Sequence, residues 1–173
     1  MVDFPVALET VNAMDVPAFV AAFGDVAEHS PWVAERAAEQ RPFASRRDMI
    51  EAFAEEVREA GPGEKLALLR AHPDLAGKAA IAGELADDSR REQAGAGLDA
   101  LTADEFSRFT ELNGSYTAKF GFPFILAVRG ADKQTILEAF AERIERDEQA
   151  ELAMAIAEVI RIIGFRIEDR VES

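Results

Sequence analysis

Cysteine is absent from the chain, and histidine occurs only twice among its 173 residues, at His29 and His72. Without cysteine the protein has no disulfide, no thiolate nucleophile and no cysteine-ligated zinc or iron–sulfur site. His72 and Asp74 are residue types that bind metals, but no second histidine lies near them in the sequence. Two such residues make a poor metal site, so we expect no bound metal.

Basic residues are scarce, with 19 Lys and Arg against 33 Asp and Glu and a formal net charge of -14. This balance excludes the usual nucleic-acid binder and a protein held on anionic lipid. No apolar run approaches the roughly 18 residues of a membrane span. The first residues, "MVDFPVALETV", carry no basic region ahead of an apolar core. We therefore expect a cytoplasmic protein that has no membrane segment and binds no nucleic acid.

Helical periodicity runs through nearly the whole chain, of which 49% is apolar. Asp15, Ser45 and Thr102 each precede an apolar helical pattern and can act as N-caps. Glu105 completes a capping box with Thr102, and Gly61 is predicted to end the helix that starts at Ser45. No repeat or domain boundary is evident, so the sequence predicts one compact all-α, multi-helix domain over residues 1–173. Further helices are predicted over residues 31–40, 61–72, 132–146 and 148–170.

The run "FGFPFILAV" interrupts the helical period, with Gly121 and Pro123 inside it and Gly130 after it. No partner strand is evident, so we expect an extended, buried segment near residues 120–128. Buried backbone N–H and C=O groups are rarely left without a hydrogen bond. A ligand could satisfy those of this segment, and so could neighbouring side chains or water.

His72 stands directly before Pro73, which disfavours helical geometry in the residue that precedes it. The sequence therefore predicts that His72 lies at a helix end, where an imidazole can reach a solvent-accessible cavity. A histidine in this position also has an ordinary interpretation, because it interacts favourably with the helix dipole.

Two other groups of polar residues allow both a structural and a functional interpretation. Ser89 and Glu92 in "SRREQ" fit a capping box, yet with Gln93 they also place a hydroxyl, a carboxylate and an amide within one helical turn. Such a turn can hold a small, urea-like molecule. Arg166 lies in an apolar stripe of the last helix, where a guanidinium needs an anion, forms a structural ion pair or snorkels to the surface.

Taken in order, six stretches of the chain resemble the 2-oxo-4-hydroxy-4-carboxy-5-ureidoimidazoline (OHCU) decarboxylases of urate breakdown, a family that synthesises allantoin. The resemblance spans about residues 15–171 and implies an all-α, cofactor-free, homodimeric lyase of purine metabolism with a small ureide substrate. The stretches are "FGDVAEHSPWVAERA", "RPF", "AHPDLAG", "SRREQAGAGL", "LNGSYTAKFGFPFILAV" and "EVIRIIGFRIEDRV".

The resemblance also implies roles for individual residues. His72 of "HPDL" would be the catalytic acid/base, with Glu92 as its catalytic partner. The other substrate-binding positions would comprise a proline, two polar residues of the "SRREQ" turn, five residues that offer main-chain groups, and an arginine near the C-terminus. In the order of the chain these are Pro73, Ser89, Gln93, Phe124, Ile125, Leu126, Ala127, Val128 and Arg166.

The implied reaction explains why these residue types suffice. The substrate carbon that carries the carboxylate and a hydroxyl adjoins a C=N bond, which can receive the electron pair as CO₂ leaves. Histidine, with an ordinary pKa near 6.5, can accept and donate protons around neutral pH and so help form (S)-allantoin stereospecifically. Two alternatives remain at this point: an acidic helical module that binds a partner protein, and an enzyme that acts on a related ureide.

Overall fold

The computed structural model describes residues 2–77, 80 and 82–173, which contain helices and no strand. The all-α prediction is therefore confirmed for this part of the chain. None of the described helices is long and apolar enough to cross a membrane. The described helices are α1 (Leu8–Ala13), α2 (Val16–Phe23), α3 (Trp32–Ala38), α4 (Arg46–Glu59), α5 (Pro62–Arg70), α6 (Asp87–Gly95), α7 (Ala103–Phe120), α8 (Lys133–Arg143) and α9 (Glu148–Arg170).

The chain folds into two compact units, each with its own aromatic core. One unit comprises Met1–Ala71 and Val159–Ser173, and the other comprises His72–Glu158. In the first, the ring of Phe19 lies 5.2 Å from that of Phe23 and 6.0 Å from that of Phe53, which joins α2 to α4. Packed aromatic pairs of this kind contribute beyond the area that they bury. The prediction of one domain over residues 1–173 stays a prediction.

The core of the second unit joins α7, α8 and the segment that follows α7. The rings of Phe124 and Phe140 stack with centroids 3.9 Å apart. The ring of Tyr116 contacts both of them edge-on, at 5.4 Å and 5.9 Å. Since the three side chains come from three different elements and are fully buried, they fix the path of the segment against the two helices.

The predicted N-caps at Asp15, Ser45 and Thr102 are confirmed. The side chain of each accepts a hydrogen bond from the backbone N–H three residues later, and Glu105 completes the capping box of α7. These bonds satisfy N–H groups that have no partner inside the helix. α7 ends as its sequence indicates, because Gly121 adopts a φ of 78°, a conformation that glycine tolerates best.

One predicted helix start is wrong. The capping box of Ser89 and Glu92 does not form, because α6 begins at Asp87 and Ser89 lies inside its first turn. Two consecutive aspartates in that turn favour the earlier start through the helix dipole. Gly61 follows Ala60, the C-cap residue of α4, as predicted for a helix stop, and it is also the N-cap residue of α5. The weak apolar pattern of "PDLAGKAAIAGELADD", before α6, predicts a loop with a helical turn; residues 78, 79 and 81 of this passage lie outside the described part of the chain.

Replacing Thr102 with alanine is expected to lower the free energy of unfolding by about 1 kcal/mol, since it leaves the N–H of Glu105 without its acceptor. Urea denaturation followed by circular dichroism measures the change. Ser107→Ala is the matched control, because Ser107 is exposed inside the same helix and alanine favours helix there. A loss as large in the control as in the Thr102 variant would contradict the assignment of the cap.

Candidate functional site

His72 lies where the sequence predicts, immediately after a helix end. α5 finishes at Arg70, and the chain turns before Pro73. The side chain of His72 is buried, with 8% of the residue exposed. A buried imidazole beside a turn is held in place by its surroundings.

The loop after His72 is fastened to two helices of the same unit. The N–H of Ala76 donates to Oε1 of Gln93 at 2.9 Å, and Nε2 of Gln93 donates to the carbonyl of Asp74 at 3.3 Å. Asn113 of α7 donates to the carbonyl of Leu75 at 2.8 Å. Three consecutive residues of the loop are therefore bound by side chains from α6 and α7, which fixes the backbone that leads away from His72.

Ser89, Glu92 and Gln93 of "SRREQ" share one side of α6. Ser89 and Gln93 are four positions apart and both are buried, with 4% and 5% of each residue exposed. Positions three and four apart are neighbours on a helix, so half-buried Glu92 lies beside them on the rim of this face. Because Gln93 contacts Asp74 and Ala76, the same face of α6 is turned toward the loop that begins at His72.

Substituting leucine for Gln93 is expected to destabilise the fold by about 1–3 kcal/mol. The change keeps most of the volume but leaves the buried N–H of Ala76 without an acceptor. The free energy of unfolding in urea measures the effect. The same substitution at exposed Gln134, whose amide bonds only to the side chain of Glu138, should stay within about 0.5 kcal/mol. Equal losses in the two variants would mean that the bond to the loop contributes nothing.

The run "FGFPFILAV" forms the predicted extended segment, since residues 123–128 contain no helix, turn or bend and are mostly buried. Two of its peptide groups are bound by charged side chains. The carbonyl of Ile125 accepts a hydrogen bond from Nη1 of Arg143, and the N–H of Ala127 donates to Oε2 of Glu158 at 3.2 Å. Neighbouring side chains thus satisfy part of this backbone, which is one of the two alternatives that the sequence left open.

A buried charged network contacts this segment through Arg143, and the sequence analysis did not predict it. Glu151, which is fully buried, accepts hydrogen bonds from Nε of Arg143 at 2.6 Å and from the hydroxyl of Tyr116 at 2.5 Å. Burial and the adjacent Glu151 raise the pKa of the Tyr116 hydroxyl well above its usual range, so it remains a neutral donor. One signal was available: Arg143 continues the apolar spacing of Ile136 and Phe140.

Arg166 forms the structural ion pair that was one of the three interpretations of its position. Its Nη1 lies 2.9 Å from Oε2 of Glu28 and 3.3 Å from the carbonyl of Val26. Both charged side chains are buried, with 3% and 2% of each residue exposed. Arg166 belongs to the first unit, whereas the other predicted site residues belong to the second.

Among the described residues of the second unit, two cavities share Phe106 in their lining. One, of about 550 Å³, is lined by Gln93 among other residues, and the second, of about 660 Å³, is lined by Asp74 and Asn113. Desolvation raises the pKa of Asp74, although the residue stays exposed. As far as the structure describes the chain, neither of these two cavities is lined by His72, Glu92 or the extended segment.

Within the described residues, no three histidine, aspartate or glutamate side chains come close enough together to hold a metal ion. What the arrangement offers is a buried imidazole, a nearby helix face with a hydroxyl, a carboxylate and an amide, and an extended backbone segment. Such groups can bind a small polar molecule and move protons.

Comparisons with known proteins identify relatives along nearly the whole chain. A family model described as OHCU decarboxylase matches residues 12–168. An OHCU decarboxylase of Haloferax volcanii is 41% identical over 166 residues, which cover 96% of each chain. A uric acid degradation bifunctional protein of Bacillus subtilis is 40% identical over 94% of this chain and 32% of its own length. A crystal structure of (S)-allantoin synthase, 30% identical, superposes with a TM-score of 0.76 over 94% of this chain and 53% of that one.

Proposed function

The chain belongs to the OHCU decarboxylase family, and from this premise we infer that it is a carboxy-lyase converting 2-oxo-4-hydroxy-4-carboxy-5-ureidoimidazoline to (S)-allantoin and CO₂ in urate degradation. The observation that carries this inference is the family match over residues 12–168, which includes every residue that the sequence analysis assigned to the site. The all-α fold agrees with it.

We assign the acid/base chemistry to His72 and Glu92. The support is local: Gln93, the direct neighbour of Glu92, is hydrogen-bonded to the loop that starts at His72. In the reaction, the bond from the ring carbon to the carboxylate breaks as CO₂ leaves, its electron pair forms a C=C bond to the ureido-bearing carbon, and the π electrons of the C=N bond move to its nitrogen, which takes up a proton. His72 accepts the hydroxyl proton as the ring C=O bond forms. A protonated group on one face of the ring delivers a proton to the ureido-bearing carbon. General acid–base catalysis that raises the rate by a factor of about 10² to 10⁴ lowers the activation free energy by roughly 3–5 kcal/mol.

The remaining residues bind the substrate. Ser89 and Gln93 hold its polar edge from α6, Pro73 contacts the ring, and main-chain groups of residues 124–128 bind its flat amide portion. Arg166 is proposed as a ligand of an anionic oxygen of the substrate, because it matches the arginine near the C-terminus that the family resemblance implies and a guanidinium binds anionic oxygens well. We also propose that the active protein is a cytoplasmic homodimer.

The proposal is tested by adding the protein to freshly generated OHCU and following the optical activity of the product by circular dichroism. The proposal predicts the (S) enantiomer of allantoin, formed faster than in the uncatalysed reaction. Racemic product that forms at the uncatalysed rate would contradict the proposal. A rate increase seen only with a different ureide would retain the site but assign it another substrate.

A further inference from the structure

The extended segment is held from one side by two buried charged residues of different helices. Arg143 of α8 donates to the carbonyl of Ile125, and Glu158 of α9 accepts from the N–H of Ala127. Both bonds involve odd-numbered residues of the segment. Along an extended chain the N–H and C=O of one residue point to the same side, and those of the next residue point to the opposite side. The two charged side chains therefore occupy the same side of the segment.

This alternation directs the peptide groups of Leu126 away from the two charged residues. Leu126 is half-buried, whereas its neighbours on both sides are buried. In the part of the chain that the structure describes, neither its N–H nor its C=O has a hydrogen-bond partner. A donor and an acceptor side by side match a cyclic ureide, which presents an N–H next to a C=O in the same plane.

We propose that Arg143 and Glu158 are positioning residues, which hold the extended segment so that the N–H and C=O of Leu126 face the substrate ring. The inference rests on the proposed function for its ligand. The clamp, by which we mean Arg143 and Glu158 with the two peptide groups that they bind, is a feature of the fold. Neither charged residue touches the substrate. Each acts through the peptide group that it binds.

The surroundings of Arg143 explain how the clamp stays rigid. Its guanidinium is bound by fully buried Glu151 and lies 4.5 Å from the ring centroid of Phe124, the residue before Ile125. Phe124 in turn stacks on Phe140 of the same helix as Arg143. A planar guanidinium that is fixed on several sides loses little further freedom when it binds a carbonyl, and it keeps that carbonyl in one orientation.

Hydrogen exchange tests the clamp without reference to activity. In the wild type the amide of Ala127, followed by NMR, should be protected by its bond to Glu158. Glu158→Leu should speed its exchange at least tenfold, and Glu158→Gln should retain the protection, because the amide oxygen of glutamine can still accept. Lys119→Met is the control. It also removes a bond between a charged side chain and a peptide group of the same unit, but that group is the carbonyl of Ile144. Unchanged exchange of Ala127 in Glu158→Leu would overturn the clamp.

Steady-state kinetics and (S)-allantoin binding by calorimetry test its consequence. Glu158→Leu is expected to raise KM for the substrate and Kd for (S)-allantoin about tenfold with a smaller change in kcat, because the ring is bound in ground and transition states alike. Glu158→Gln should restore both values, and Lys119→Met should leave them unchanged. If the wild-type protein forms no optically active product, the proposed function is contradicted. If the wild-type protein is active but Glu158→Leu leaves KM and Kd unaltered, only the present inference is contradicted.

Discussion

His72→Asn is expected to lower kcat by a factor of about 10² to 10⁴ and to leave the fold intact. The asparagine amide can keep a hydrogen bond in place of the imidazole, but it cannot accept and release a proton near neutral pH. The fold should survive because His72 lies at the end of α5, outside the aromatic cores of both units. Turnover of fresh OHCU measures the activity, and far-UV circular dichroism with urea denaturation measures the fold.

The second histidine provides the matched control for this experiment. His29 is exposed, lies in the first unit and has no assigned role, so His29→Asn should keep wild-type kcat and KM. Wild-type turnover in the His72 variant would remove the imidazole from the mechanism. A loss of turnover together with a loss of helicity in the His72 variant would show a structural role for this side chain in place of a catalytic one.

Glu151→Leu is expected to lower the free energy of unfolding by about 3–5 kcal/mol. The substitution leaves the guanidinium of Arg143 buried without its carboxylate and removes the acceptor of the Tyr116 hydroxyl. An unpaired buried charge costs far more than a buried pair stabilises. Urea denaturation followed by circular dichroism gives the value.

Two further variants separate this explanation from a general intolerance of substitution. Removing both charges in Arg143→Met with Glu151→Leu should cost less than the sum of the two single changes, because no charge is then left unpaired. Glu142→Leu breaks a surface ion pair with Arg146 nearby in the chain and should cost no more than about 1 kcal/mol. Additive losses in the double variant would contradict the account of the network.

Local patterns predicted much of the fold because their causes lie within a few residues. The caps at Asp15, Ser45 and Thr102 depend on a side chain that bonds to a backbone group three positions away. The extended segment was predicted from a run that lacks helical period and contains Gly121 and Pro123. The boundary at Ser89 was wrong because capping patterns compete, and the aspartates at 87 and 88 start the helix earlier.

The ion pairs could not be predicted in the same way. Arg166 was recognised as a residue in need of an anion, but Glu28 lies far away in the sequence and no local pattern connects the two. The same holds for Glu158, whose carboxylate meets a peptide group rather than a side chain. A sequence pattern shows that a charge will be buried, whereas its partner depends on how distant elements pack. For this reason the pairing of Gln93 with the loop after His72 became known only from the structure.

The central claim is that His72 and Glu92 act on one bound ureide, and a crystal structure of the protein soaked with (S)-allantoin tests it most directly. The account predicts the ligand within hydrogen-bond distance of both the His72 imidazole and the Glu92 carboxylate, with one edge against the Leu126 peptide. Allantoin bound in the cavity of Asp74 and Asn113 instead, or His72 and Glu92 facing separate surfaces, would contradict it.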